Sequence, residues 1–141
     1  MKTLVIGAAI IDIIMKIKRL PKSGEDILCS ETVSAVGGCA YNVAGTLRGF
    51  GVDHDLFVPV GRGMYGDMIA GDLEKLGYQI LIREEESDNG YCLCLVEEDG
   101  ERTFITVKGA EGRFRPSWFE QLSQDAYDSI YVAGYQVCGT S

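Results

Sequence analysis

The segment Gly37-Gly38-Cys-Ala-Tyr-Asn42 is the part of this chain best equipped for chemistry. Two adjacent glycines precede an asparagine that opens an amphipathic pattern, with Val43, Leu47 and Phe50 on one helical face. Glycine reaches backbone angles closed to other residues and leaves the backbone bare to a ligand. Asn42 carries a donor and an acceptor. It lies at a helix N-terminus, which favours anions and hydroxyl oxygens. Such a set suits a polyhydroxylated small molecule lying flat against backbone. Taken alone, the segment is equally a tight turn before a helix. It is not a P-loop, since no Gly-Lys-Ser/Thr follows, and it lacks the Gly-x-Gly-x-x-Gly of a dinucleotide turn. Asp12, just past an apolar run, is the other candidate; a carboxylate at a strand end is ordinarily solvated.

These residues need elements to hold them. Residues 4–6 form a continuous apolar run, which predicts a central parallel strand buried on both faces. Residues 13–36 behave differently. Met15 and Ile17, then Ile27 and Cys29, alternate with polar residues around Pro21-Lys-Ser-Gly24, which predicts a hairpin with one covered face. Residues 91–107 repeat the pattern around a turn at Glu98-Asp-Gly100. Between the hairpins the sequence predicts a helix over 41–49 closed by Gly49 and Gly51, a strand over 55–60, a helix over 65–76 and a strand near 79–82. A helix near 116–124 and a strand over 129–133 follow. The expected fold is α/β: βα units build a parallel three-layer body, and four antiparallel strands are inserted at two points. The alternating strands would equally extend the edge of the main sheet.

With 141 residues, 46% of them apolar and 24% charged, the chain is one globular domain with a sizeable core. A net charge of −8 argues against nucleic acid or an anionic membrane as partner, because both require a cationic face. Five cysteines, at 29, 39, 92, 94 and 138, have no metal or redox spacing, and His54 is the only histidine. They read as reduced small hydrophobes, with no metal site expected. The apolar N-terminus is interrupted by Asp12, and Lys16, Lys18 and Arg19 follow without a cleavage site, so no signal peptide is expected. With no apolar run of membrane-spanning length, the expected location is cytoplasmic.

The order of these motifs resembles the ribokinase-like (PfkB) family of carbohydrate kinases. The resemblance rests on the strand ending at Gly7 with Asp12 beyond it, the Gly37-Gly38-x-x-x-Asn42 helix, and the turn Gly61-Arg-Gly63 with Gly66-Asp67. Asp88-Asn-Gly-Tyr-Cys-Leu, Asp99-Gly and Gly109-Ala110 complete it, so it runs along essentially the whole chain. It is similar to a sugar-kinase branch with Gly-Gly-Cys-Ala-x-Asn. It implies transfer of the ATP γ-phosphoryl group, with Mg2+, to a sugar or nucleoside hydroxyl. The antiparallel strands, about 13–36 and 88–108, would be a lid over the sugar and a homodimer contact. Residues 1–141 would be the N-terminal part of one ribokinase-like domain.

For the site, the resemblance implies that Asp12, Gly37, Gly38, Cys39, Asn42 and Gln136 bind the sugar. In ribokinase an asparagine stands two residues before the acid, and a lysine often follows the double glycine. Ile10 and Cys39 stand there, which implies a hydroxyl pattern other than that of ribose. The family's second signature, Asp-Thr-x-Gly-Ala-Gly-Asp, supplies the anion hole and the catalytic aspartate, and it does not occur in these residues. The expectation is therefore the sugar side of a kinase, with the C-terminal half absent, no catalytic residue in this chain and no ATP bound by it alone. The rival expectation is a non-catalytic sugar-binding or dimer-forming remnant. Either way, Ile130 and Val132 are expected on an uncovered edge that promotes self-association.

Overall fold

The structure, a computed structural model, describes residues 1–137, so Cys138 lies outside the described residues. Three strands form the body: β1 (Thr3–Ile6), β4 (His54–Phe57) and β9 (Ser129–Val132), in the order β4-β1-β9 and all parallel. Thr3 is level with both His54 and Ser129, and Ile6 with Phe57 and Val132. The continuous apolar run sits at the centre, as parallel strands covered on two faces require. Val5 and Leu56 face one layer, where α1 (Cys39–Gly49) and α2 (Met64–Lys75) pack through Ala40, Ala44, Ile69 and Leu73. Leu4, Ile6 and Phe57 face the other, covered by Phe114, Trp118, Leu122 and Tyr127. The three-layer body thus follows from alternate residues of one strand serving two cores.

The second sheet stands apart from the body sheet and is not an extension of its edge. Its strands are β2 (Ile10–Lys16), β3 (Glu31–Gly37), β7 (Tyr91–Val96) and β8 (Arg102–Val107), in the order β3-β2-β7-β8. Each hairpin is antiparallel, and the two meet through a parallel β2–β7 pair because both leave the body in the same direction. The register puts Asp12 level with Ala35 and Cys92, and Cys92 level with Thr106. Cys92 and Cys94 share one face and are buried, and no cysteine among the described residues is in a disulfide.

The structure refines four expectations. The return strand of the first hairpin begins at Glu31, so Ile27 and Cys29 lie in the loop before it. The expected 55–60 strand breaks at Val58: β5 (Pro59–Val60) pairs instead with β6 (Ile82–Arg83). The 116–124 helix shortens to α3 (Pro116–Phe119), because it is held by aromatic packing rather than by its length. Phe57, Phe114 and Phe119 stack with centroids 5.1 to 6.5 Å apart. Phe50 lies past the end of α1 and is exposed, while Val43 and Leu47 pack on the core.

Both long helices end in the same way. Gly51, at φ +68°, follows α1, and Val52 N–H donates to Leu47 O at 2.9 Å. Gly77, at φ +82°, follows α2, and Tyr78 N–H donates to Leu73 O at 2.9 Å. These left-handed turns satisfy carbonyls that the helices leave open. β9 is an edge strand, and Ile130, Tyr131 and Val132 on it are exposed.

Candidate functional site

In parallel α/β sheets, ligands bind beyond the carboxyl ends of the strands. Past the end of β1 the chain runs through Gly7, Ala8 and Ala9 into β2, and the predicted residues gather around this turn. A Cβ on Gly7 would lie 2.7 Å from Ala40 Cβ and 2.8 Å from Ala133 Cβ, so α1 and the end of β9 close on it from two sides. Gly38 takes φ +100°, and a Cβ there would run 3.1 Å from the Ala8 carbonyl carbon. Gly37 needs no unusual angle; a side chain there would collide with the Asp12 carboxylate. The double glycine therefore lets α1 begin against the turn after β1 and leaves Asp12 lying over bare backbone.

Asp12 is half-buried on β2, and no side-chain or backbone group among the described residues donates to its carboxylate. Burial alone raises its pKa above the ordinary aspartate value. It is a poised acceptor, partly stripped of water and still unpaired. Gln136, in α4 (Gly134–Val137), offers another: its Oε1 is buried beside Gly7 without a hydrogen-bond partner. Such an orphaned acceptor is uncommon in a folded protein.

Asn42 does not open the helix. Gly38 is the N-cap and Cys39 the first helical residue, and Asn42 N–H donates to Gly38 O at 3.0 Å. Its amide is exposed in the first turn, beside the exposed, free thiol of Cys39. Tyr41, between them, reaches the other way and donates to Asp72 of α2; burial and this carboxylate push its pKa up to about 12. The Tyr41–Asp72 bond fixes the first turn of α1 against α2.

The segment Asp88-Asn89-Gly90 carries more structure than its sequence announced. Asp88 accepts from Tyr65 N–H at 3.1 Å and Gly66 N–H at 2.6 Å, so the cap of α2 comes from a distant loop. Asp67, read from sequence as the acid favoured by that terminus, does lie in the first turn but reaches Arg83 at 3.4 Å. Asn89 is 3% exposed and its side chain makes three bonds to backbone. The sequence signal for this was an Asp-Asn pair held against glycines at both ends of a hairpin. A cleft of about 450 Å³ opens at the opposite end of β4 beside His54 and Tyr78 and contains none of the predicted residues.

Among the described residues no group of three or more His, Cys, Asp or Glu is placed to hold a metal, and no helix is long and apolar enough to cross a membrane.

The chain is similar to known proteins along most of its length. The chain is 40% identical over 139 residues to the Escherichia coli protein named "Uncharacterized sugar kinase YegV", an alignment covering 96% of this chain and 43% of that protein. It is 28% identical to a ribokinase of Arabidopsis thaliana over 134 residues, 92% of this chain and 35% of the other. The chain thus spans less than half the length of these relatives. Among solved structures, ribokinase from Giardia lamblia superposes with a TM-score of 0.81 at 25% identity, over 93% of this chain and 41% of that one. Arabidopsis thaliana ribokinase complexed with ribose and ATP gives 0.72 at 25% identity, over 93% and 44%. The family model for the pfkB family of carbohydrate kinases matches residues 1–140, and the chain belongs to that family.

Proposed function

We propose that this chain forms the acceptor-binding part of a carbohydrate kinase that transfers the ATP γ-phosphoryl group to a hydroxyl of a sugar or nucleoside. The observation that carries the reading is the unpaired Asp12 carboxylate, lying over the bare backbone of Gly37 at the carboxyl end of a parallel sheet. A carboxylate accepts two neighbouring hydroxyls at once, and charge-assisted bonds of this kind are about twice as strong as neutral ones. Gly37 and Gly38 let the ring approach the backbone. Asn42 and Cys39 border it from the first turn of α1, and the orphaned Gln136 Oε1 accepts a further hydroxyl. Ile10 and Cys39, where ribokinase-like sites often carry polar groups, favour an acceptor other than ribose.

The outlying sheet is the lid in this reading. Its closure excludes water, which would otherwise compete for the phosphoryl group. ATP with Mg2+ supplies the phosphoryl group when bound. The family's nucleotide segment does not occur in these residues, so every role assigned here concerns the acceptor. Val33, Phe104, Ile105 and Val107 expose apolar surface on the lid and support a contact with a second copy of the chain. Dependence on ATP and the acidic composition support a cytoplasmic setting.

A thermal-shift screen of sugars and nucleosides tests the reading. A true acceptor at 100 times its Kd adds about 2.7 kcal/mol of stability. The shift is expected for a subset of hydroxylated ligands and is expected to disappear in Asp12→Ala. A panel in which no sugar or nucleoside raises the melting temperature would overturn the assignment.

A further inference from the structure

We propose that Glu111 and Asn89 are positioning residues for Asp12, fixing the backbone on either side of it at the root of the lid. The proposal rests on the reading of Asp12 as the carboxylate that grips the acceptor.

Glu111 lies outside the lid, in the short 3-10 turn Ala110–Gly112, and is 6% exposed. An acid so buried needs strong compensation. It finds it in backbone: Oε2 accepts Gly90 N–H at 2.8 Å and Oε1 accepts Gly109 N–H at 2.9 Å. Gly90 and Gly109 are the two roots of the β7–β8 hairpin. They pack so closely that a Cβ on either would collide with the other's backbone nitrogen or with a neighbouring carbonyl. One carboxylate thus clamps both ends of the hairpin where it leaves the body.

The clamp continues towards Asp12. The carbonyl of Gly90 accepts the N–H of Ile11 at 3.3 Å, and Asp12 is the next residue. On the other side of Ile11, the Asn89 amide donates to Ala9 O at 3.2 Å and to Pro59 O at 2.9 Å, while its Oδ1 accepts Gly61 N–H at 2.7 Å. The strand carrying Asp12 is therefore tied at Ala9 to the body through Asn89, and at Ile11 to Gly90, whose own N–H is held by Glu111. Neither residue touches the carboxylate. Both set where its backbone can sit, and hence how Asp12 stands over Gly37.

Glu111→Gln tests this with little change in shape. Its amide presents donors to one of two backbone donors, so one root loses its acceptor. Asn89→Asp is the second variant: it keeps the acceptor for Gly61 and loses the donation to Ala9 and Pro59. Without any ligand, amide exchange at Ile11 and Asp12 is expected to speed up about tenfold in either variant, with Val5 and Leu56 unchanged. Exchange that is unaltered, or faster throughout the chain, overturns the proposal. With a carbohydrate identified by thermal shift, Glu111→Gln is expected to weaken binding about tenfold in the parent and not at all in an Asp12→Asn background. Equal losses in both backgrounds mean that Glu111 acts on stability alone, and also overturn it. A parent that binds no carbohydrate counts against the proposed function, and the exchange measurement still decides the positioning. If neither variant folds, the two residues are structural and the proposal is wrong.

Discussion

In the body sheet, Leu4, Val5 and Phe57 are at most 1% exposed, whereas Val33, Phe104 and Ile105 in the outlying sheet are 50–58% exposed. Both regions are rich in apolar side chains, and both are regular β structure. The body covers its two faces with helices and aromatic packing, so its strands are committed to one arrangement. The outlying sheet leaves much of β8 exposed and is held to the body at one end, by the close-packed Gly90 and Gly109 and by Ile11, Ile13, Val36 and Tyr91, which pack against the core. A contact removed from the body costs stability; one removed from the exposed face of the outlying sheet is expected to cost little.

The sharpest way to break that contrast is a pair of phenylalanines. Phe57→Ala, in the body, is expected to cost about 3–5 kcal/mol in denaturant unfolding, from lost burial and the cavity left behind. The matching substitution in the outlying sheet, Phe104→Ser, should fall within about 0.5 kcal/mol of the parent, as exposed positions do. Equal losses would mean that the outlying sheet is part of the cooperative core.

Next in size is ligand binding. Asp12→Ala should remove roughly 1.5–3 kcal/mol per hydroxyl contact from the affinity of the best ligand, measured by calorimetry, while the folded far-UV spectrum persists. Retained affinity would show that the acceptor lies elsewhere than over Gly37.

The junction between the regions comes third. Asp88 caps α2 from the base of the β7–β8 hairpin, and Asp88→Ala should destabilise the chain by about 0.5–2 kcal/mol. Amide exchange at Tyr65 and Gly66 reports whether the loss is local to that terminus.

A subtler test uses pH. Burial raises the Asp12 pKa, so the folded chain holds this proton more tightly than the unfolded chain. Its contribution is complete below the unfolded value and is lost as pH rises through the folded one. Asp12→Asn has no such proton. The variant should melt higher than the parent near neutral pH, and the difference should vanish in acid.

Self-association is the smallest effect on the monomer itself. Light scattering over a dilution series should show that Phe104→Ser with Ile105→Ser reduces any concentration-dependent association through the outlying sheet. If association is unchanged, the exposed Ile130, Tyr131 and Val132 on edge strand β9 are the surface involved.

Much of the frame follows from residues taken in order. An unbroken apolar run at residues 4–6 can be satisfied only by a strand with two covered faces, whereas residues 91–96 are apolar throughout and the fold decides that Cys92 and Cys94 face inward. The double glycine marked a turn before a helix where backbone is left bare, though a tight turn alone would have accounted for it equally. The apolar run and the turn are local properties, and short-range sterics and burial decide them. What only the tertiary structure decided depends on residues far apart in the chain. Asp88 caps a helix 22 residues earlier, Asn89 ties down Ala9 from 80 residues away, and Glu111 clamps Gly90 from 21. Asn42 proved to be inside the helix because Gly38, pressed against Ala8, takes the cap, and α3 stops short because three aromatic rings hold it. A hydrogen bond or a ring contact of this kind has no period in sequence. Its partner is set by where the fold brings two segments together, so Asp12 was legible as a candidate and the residues that place it were not.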